Sequence, residues 1–207
     1  MIVLYGLKVS SFCRKIRVVL ERKGLPYELE EVLPINMADE YRVMSPLGKI
    51  PFIKDGDVTL ADSSVIVQYL EAQYLGDSLI PDEPKYLAQT LWYEEYADTK
   101  CASVLSGLFF EKIMKESFTG VPCDSVAVEA LEAQVPEIFD YLDKELVGKT
   151  YLVDEVLTLA DVAIICQLVN YLNAGYEIDD QRWVNLAVYV GHVLRIEFIH
   201  RIVSEAD

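Results

Sequence analysis

The period of the apolar positions changes repeatedly over residues 1–80 and then settles into a single helical rhythm. Ile2-Val3-Leu4-Tyr5 is an unbroken apolar, β-prone run and predicts a buried strand. Gly6 to Val9 read as a loop. From Ser10 the spacing turns helical through Phe12, Ile16, Val19, Leu20 and Lys23, and Gly24 closes the helix. Tyr27 to Val32 alternates weakly, as a second strand does. A strand, a helix and a strand in this order make a βαβ unit. Leu33 to Met44 has little pattern beyond a short helix near 39–43. Pro51 then opens the run Phe52-Ile53-Lys54, where its missing N–H removes nothing from a sheet ladder. Asp55-Gly56 is a two-residue hairpin signal leading back through Val58-Thr59-Leu60. Asp62-Ser63 starts a helix over 63–75, with Val65, Ile66 and Tyr69 at apolar positions.

After residues 75–86, where Gly76-Asp77 and Pro81-Asp82-Glu83-Pro84 mark a linker, strand signals vanish. A helix is predicted over 85–117, with Leu87, Leu91, Tyr96, Val104, Leu108 and Phe109 among its apolar positions; Thr119-Gly120-Val121-Pro122 breaks it. One further helix follows from Val126 to Val147, carrying Pro136 within it. Leu157-Thr158-Leu159-Ala160-Asp161-Val162 is a strong helix start: Thr158 caps, Asp161 reaches back, and Leu157 staples to Val162. The helix it opens is apolar nearly all round and is therefore expected at a buried centre. Asp179 to Trp183 turns into a final helical pair ending near Val203. The expected architecture is an α/β thioredoxin-like amino-terminal domain, βαβ-ββα with a mixed sheet, followed by an all-α bundle. The expected limits are 1–76 and 86–207, joined by a linker at 77–85.

Composition narrows the picture further. A chain of 207 residues, 52% hydrophobic and 25% charged, can bury a sizeable core. No apolar run approaches the roughly 20 residues of a membrane span. The start of the chain lacks a basic, cleavable leader, and Cys13, Cys101, Cys123 and Cys166 show no metal or disulfide spacing. A cytoplasmic protein without a metal centre is expected. The net charge of -16 argues against nucleic acid and anionic membranes as partners. That charge is uneven: residues 1–80 carry net -2 and residues 81–207 net -14. A small anionic ligand would meet less repulsion at the first part.

The polar residues of the first part lie at strand ends and helix starts. Ser10-Ser11-Phe12-Cys13-Arg14 sits where the first strand hands over to the first helix. Unsatisfied N–H groups and the helix dipole stabilise an anion there, and a serine hydroxyl can donate to a thiolate. A plain N-cap at Ser10 or Ser11 explains the same residues. Cys13, beside Arg14, Lys15 and Arg17, would have a depressed pKa if exposed, or would be a small buried apolar residue. Asp62-Ser63 reads both as an N-cap pair and as a site for a ligand carboxylate and amine. Lys49 is either a solvated turn residue or a partner for a carboxylate. Tyr93, Tyr96, Lys100, Ser103 and Phe110 fall on the first long helix of the second part, where a stripe at helical spacing usually belongs to the core. His192 and His200 have no companions at ligand spacing and read as structural or surface residues.

Pro46-Leu47-Gly48-Lys49-Ile50-Pro51, followed one hairpin later by Asp62-Ser63, resembles the cytosolic glutathione transferases. Ser10 with Cys13-Arg14 and Arg17, and the capping box at Thr158, extend the resemblance over the whole chain, toward bacterial, serine-type, theta/zeta/omega-like members. The resemblance implies that Ser10 is the catalytic residue that lowers the pKa of the glutathione thiol. It implies a cis Pro51, and glutathione held by Lys49, Ile50, Pro51, Asp62 and Ser63. Ile50 would offer backbone groups to the cysteinyl part, like an added strand. Val9, Phe12, Tyr96, Lys100 and Ser103 would border a pocket for a small electrophile held between the domains. A homodimer with glutathione as co-substrate and a detoxifying role completes the expectation. Tyr5, the thiol activator of other branches, sits slightly early and is expected in the core. Cysteine-type members carry their nucleophile at the position of Ser10, which makes Cys13 the minor alternative. Two other readings use the same fold: a glutathione-dependent thiol–disulfide reductase or isomerase, and a non-catalytic interaction protein.

Overall fold

A computed structural model describes residues 1–205; Ala206 and Asp207, the end of the expected helical domain, lie outside the described residues. The chain forms two compact units, Met1–Leu79 together with the segment from Phe198 onward, and Ile80–Glu197.

The first unit runs β1 (Ile2–Gly6), α1 (Ser11–Arg22), β2 (Tyr27–Glu31), α2 (Asp39–Met44), β3 (Phe52–Asp55), β4 (Val58–Ala61) and α3 (Ser63–Gln73). Its mixed sheet has the order β2-β1-β3-β4, with β1 parallel to β2 and antiparallel to β3. This is the βαβ-ββα arrangement expected from the pattern. The hairpin differs by one residue from its predicted position. Asp55 pairs with Val58, so the turn is Gly56-Asp57 rather than Asp55-Gly56. Gly56 takes the first turn position at φ +61, which a residue without Cβ adopts at no cost. Asp55 is held in the strand end by the hydroxyls of Tyr69 and Tyr74, which donate to its Oδ2 at 2.9 and 2.5 Å.

The last helix, α9 (Glu197–Ser204), buries Ile199 and Ile202. Three contacts bind its end of the chain to α1: Glu205 to Arg17, Arg201 to Glu21 at 3.2 Å, and Phe198 under the Arg22 guanidinium. Arg14, Lys15 and Arg17, read from the sequence as a basic setting around Cys13, are buried in α1.

The second unit is helical. Its α4, residues 84–119, is one continuous helix that loosens into π-helical turns over Ala97–Ser106 and Phe110–Met114 and ends at left-handed Gly120. The single helix expected from Val126 to Val147 is two helices, α5 (Ser125–Glu132) and α6 (Val135–Glu145). Pro136 opens the second of them; a proline in a helix interior would remove a hydrogen bond and clash with the preceding turn, whereas the first turn loses nothing. The core helix α7 (Leu159–Asn173) is buried from Leu159 through Tyr171, and α8 (Val184–Val193) packs beside it. The capping box forms, and the Asp161 carboxylate does more than close it. Its oxygens accept from the Thr158 amide and hydroxyl, the Leu152 amide and the Tyr189 hydroxyl, all at 2.8–3.1 Å.

Candidate functional site

Sheet register places the candidate residues of the first unit together. Tyr5 at the C-terminal end of β1 pairs with Phe52 at the start of β3, and Phe52 pairs with Ala61 at the end of β4. The chain therefore leaves β1 toward Ser10, enters β3 through Ile50-Pro51, and leaves β4 into Asp62-Ser63, all at one end of the sheet. Strands lie about 4.8 Å apart, so β1 and β4 are separated by roughly 10 Å there. That span suits a tripeptide.

The first corner is the β1–α1 loop. Ser10 is the N-cap of α1, and its Oγ accepts the Cys13 N–H at 3.3 Å. The Ser10 amide donates to the Leu7 carbonyl at 3.1 Å, fixing the loop. Cap and candidate catalyst are thus the same residue. Cys13 is fully buried, and burial pushes its thiol up to about 11 despite the helix cations beside it. Of the two readings of Cys13, the structure shows the small buried residue: the cations of α1 are themselves buried and the sulfur has no solvent. Tyr5 is a core residue, stacked on Phe52 at 4.7 Å, and burial with the nearby Glu30 charge raises its pKa.

The second corner is the turn before β3. The Ser45 hydroxyl donates to the Lys49 carbonyl at 2.7 Å and accepts its N–H at 3.2 Å, while the Gly48 N–H donates to the Ser45 carbonyl at 2.8 Å. The Ile50–Pro51 peptide is cis. Ile50 lies beyond the last ladder pair, and among the described residues its backbone N–H and C=O have no partner. Lys49 is exposed and joins no ion pair among the described residues. Arg42, which sequence reasoning missed, packs over this turn: a Cβ on Gly48 would lie 3.2 Å from its Nη1, and its Nε donates to the Met37 carbonyl at 3.1 Å. A lone arginine in a short helix gives no pattern to find it by.

The third corner is the start of α3. Asp62 caps it, Oδ1 accepting from Ser64 and Val65 at 3.0 and 3.2 Å, while Oδ2 takes no partner among the described residues. Asp62 holds φ 78 and ψ 127, a conformation that costs a non-glycine residue about 1–3 kcal/mol and clusters at binding sites. Ser63 is buried, yet its hydroxyl has no partner among the described residues, and its amide is one of the orphan donors of the helix start. Two donors and one free carboxylate oxygen therefore meet at a helix dipole's positive end.

Val9 and Phe12, half-buried, flank Ser10 in the first unit. Tyr96, Lys100 and Ser103 lie on α4 of the second. Tyr96 packs on Tyr141 of α6 at 4.8 Å, Lys100 pairs with Glu137 of α6 at 2.8 Å, and the Ser103 hydroxyl donates to the Lys100 carbonyl. His192 meets the Tyr151 hydroxyl at 3.2 Å, and His200 is exposed. No group of His, Cys, Asp and Glu that could hold a metal ion occurs among the described residues, and no helix is long and apolar enough to cross a membrane.

Comparison with known proteins gives this geometry a lineage. Residues 4–78 match the family model of the glutathione S-transferase N-terminal domain, and residues 107–193 that of the C-terminal domain. A glutathione S-transferase of Silene vulgaris is 30% identical over 170 residues, covering 77% of this chain and 76% of the relative. Human glutathione S-transferase T1-1 in its apo form superposes with TM-score 0.86 at 27% identity, over 100% of this chain and 87% of that one. A theta class enzyme of Xanthomonas axonopodis pv. citri, solved with glutathione bound, gives TM-score 0.85 at 23% identity, over 98% and 96% of the two chains. The chain belongs to the glutathione S-transferase family.

Proposed function

We propose that this chain joins the thiolate of glutathione to a small electrophile, with the ligand stretched between the three corners of the sheet end. The observation that carries this reading is the set of unpaired groups gathered there: the Ser63 hydroxyl and helix-start amide, the Ile50 backbone, the second Asp62 oxygen and the Lys49 ammonium. The γ-glutamyl carboxylate takes the Ser63 donors and its amine the free Asp62 oxygen. The cysteinyl part pairs with Ile50, placed by Pro51, as an added strand would. Lys49, with Arg42 beside it, meets the glycine carboxylate. The sulfur then lies at Ser10, whose O–H donates to it at the positive end of α1 and lowers its pKa. Rate enhancement follows from a larger thiolate fraction and from holding the electrophile in reach. The electrophile lies beside Ser10, bordered by Val9 and Phe12.

The test is Ser10→Ala, assayed with glutathione and a nitro-activated aryl chloride at pH 6.5. A hydrogen bond to a charged group is worth roughly 1.5–3 kcal/mol, so kcat/KM falls about 10- to 150-fold while the KM for glutathione changes little. An unchanged rate refutes Ser10 as the activating group. The thiol–disulfide reading loses its support with Cys13, whose sulfur is buried and protonated. A cytoplasmic homodimer is part of this proposal; the exposed Leu91 and Trp92 on α4 support a contact between copies, and light scattering at twice the chain mass is the expected result.

A further inference from the structure

The corners of the sheet end differ in how firmly they hold their polar groups. At the start of α3 the groups are fixed. Ser63 is 5% exposed, and the Asp62 carboxylate is locked by the Ser64 and Val65 amides, which donate to its Oδ1 at 3.0 and 3.2 Å. At the turn before β3 the backbone is fixed but the charges are not. The Ser45 hydroxyl holds both the N–H and the C=O of Lys49, while the Lys49 side chain is exposed. Arg42 is exposed as well. Its Nε is anchored on the Met37 carbonyl at 3.1 Å, and its guanidinium lies over Gly48, where an added Cβ would stand 3.2, 3.7 and 3.8 Å from Nη1, Cζ and Nη2. Among the described residues neither Nη takes a partner. Val43, next to Arg42, and Leu47, next to Gly48, are 82% and 74% exposed, so the margin of this corner is open.

We propose that the site reads its thiol ligand strictly at the γ-glutamyl end and permissively at the carboxyl end, so that its co-substrate is any γ-glutamylcysteinyl tripeptide with a free terminal carboxylate. This rests on the ligand placement proposed above. A γ-glutamyl group carries its amine and carboxylate on one carbon, and Asp62 and Ser63, adjacent in the chain, meet both at once. A peptide joined through the α-carboxyl separates the two charges. It leaves the buried Ser63 hydroxyl or the Asp62 oxygen without its partner, which weakens binding about 10-fold or more. The last residue is met differently. Glycine has no side chain, so Arg42 and Lys49 read only its carboxylate. Each exposed cation–carboxylate pair strengthens binding about 1.4- to 5-fold, because water competes for both charges. The Lys49 ammonium, a point charge on a flexible stem, follows a carboxylate displaced by one methylene, and the Arg42 fork presents both Nη groups to it. A hydroxymethyl group in place of a glycine hydrogen finds room at the open margin beside Val43 and Leu47.

The test is calorimetry of the whole chain with glutathione, its analogues ending in β-alanine and in serine, its glycyl ethyl ester, and the isomer joined through the α-carboxyl of glutamate. The β-alanine and serine analogues bind within about threefold of glutathione, the ester about 2- to 25-fold more weakly, and the isomer at least about tenfold more weakly. Arg42→Ala weakens the three free acids alike, about 1.4- to 5-fold, and leaves the ester unchanged. A loss beyond about threefold for either analogue, with glutathione binding normally, overturns the permissive end. An isomer that binds as tightly as glutathione overturns the strict end. Equal losses of acid and ester in Arg42→Ala make the arginine merely structural and overturn its part. No heat with glutathione itself refutes the ligand placement on which the inference rests. Should Arg42→Ala fail to fold, the wild-type series decides alone, since it involves no substitution.

Discussion

Two of the aspartates at helix starts, Asp161 and Asp62, differ in how their hydrogen bonds are filled. Asp161, at the head of α7, is buried, and both its oxygens are saturated by donors from three parts of the chain. Asp62, at the head of α3, is exposed, caps with one oxygen, keeps the other free, and stands in a strained backbone conformation. The same residue type, N-cap of α3 in one place and third residue of α7 in the other, is closed at Asp161 and open at Asp62. Stability is expected where every acceptor is filled, and binding where donors and acceptors remain. Among the described residues, the unpaired Ser63 hydroxyl and Ile50 backbone continue the open side beside Asp62, and both Asp161 oxygens are filled.

The sharpest way to break this contrast is Asp161→Ala. It strands the buried Leu152 and Thr158 amides and two hydroxyls, and should cost about 3–5 kcal/mol in urea unfolding, with the glutathione affinity of the folded fraction unchanged. Asp62→Gly should do the reverse. Lost cap and relieved strain nearly cancel, so stability moves by less than about 1 kcal/mol, while calorimetric affinity for glutathione drops about tenfold or more. Equal effects of the two substitutions on stability would erase the distinction.

The pH dependence of unfolding sharpens it further. Burial raises the Asp161 carboxyl above its ordinary value, although hydrogen bonds from Leu152, Thr158 and Tyr189 oppose this. The folded state therefore holds that proton more tightly than the unfolded chain. Its contribution is complete below the unfolded pKa, about 4, and is lost as pH rises through the higher folded value. Asp161→Asn removes this falling component from the stability–pH curve; an unaltered slope would contradict it. The smallest expected effect is Thr158→Ala, a cap loss of about 1 kcal/mol with no change in glutathione binding.

Much of this was legible in the chain itself. The capping box at Thr158, the alternation of strands and helices up to Gln73, and the polar strand ends are local patterns, and local patterns survive folding. What was not legible depends on partners far along the chain. Arg17 reads only as part of a basic run, but it is buried against Tyr27 and against Glu205, which is 188 residues away. The basic run around Cys13 left its exposure open for the same reason: charge is written in the sequence and solvent access is not. Pro136 and Gly56 carried the right signals, yet each left its element's boundary open, and packing settled it. Among the candidate residues, Ser10, Ile50, Asp62 and Ser63 were named from motif and position, while Arg42 enters only through its contact with Gly48.

Isothermal calorimetry with glutathione, on wild type and Ser63→Ala, bears most directly on the open sheet end as the ligand site. Saturable heat at one site per chain, with affinity at least about tenfold weaker in Ser63→Ala, is the predicted outcome. No heat with millimolar glutathione, or equal heats from the two proteins, would contradict it.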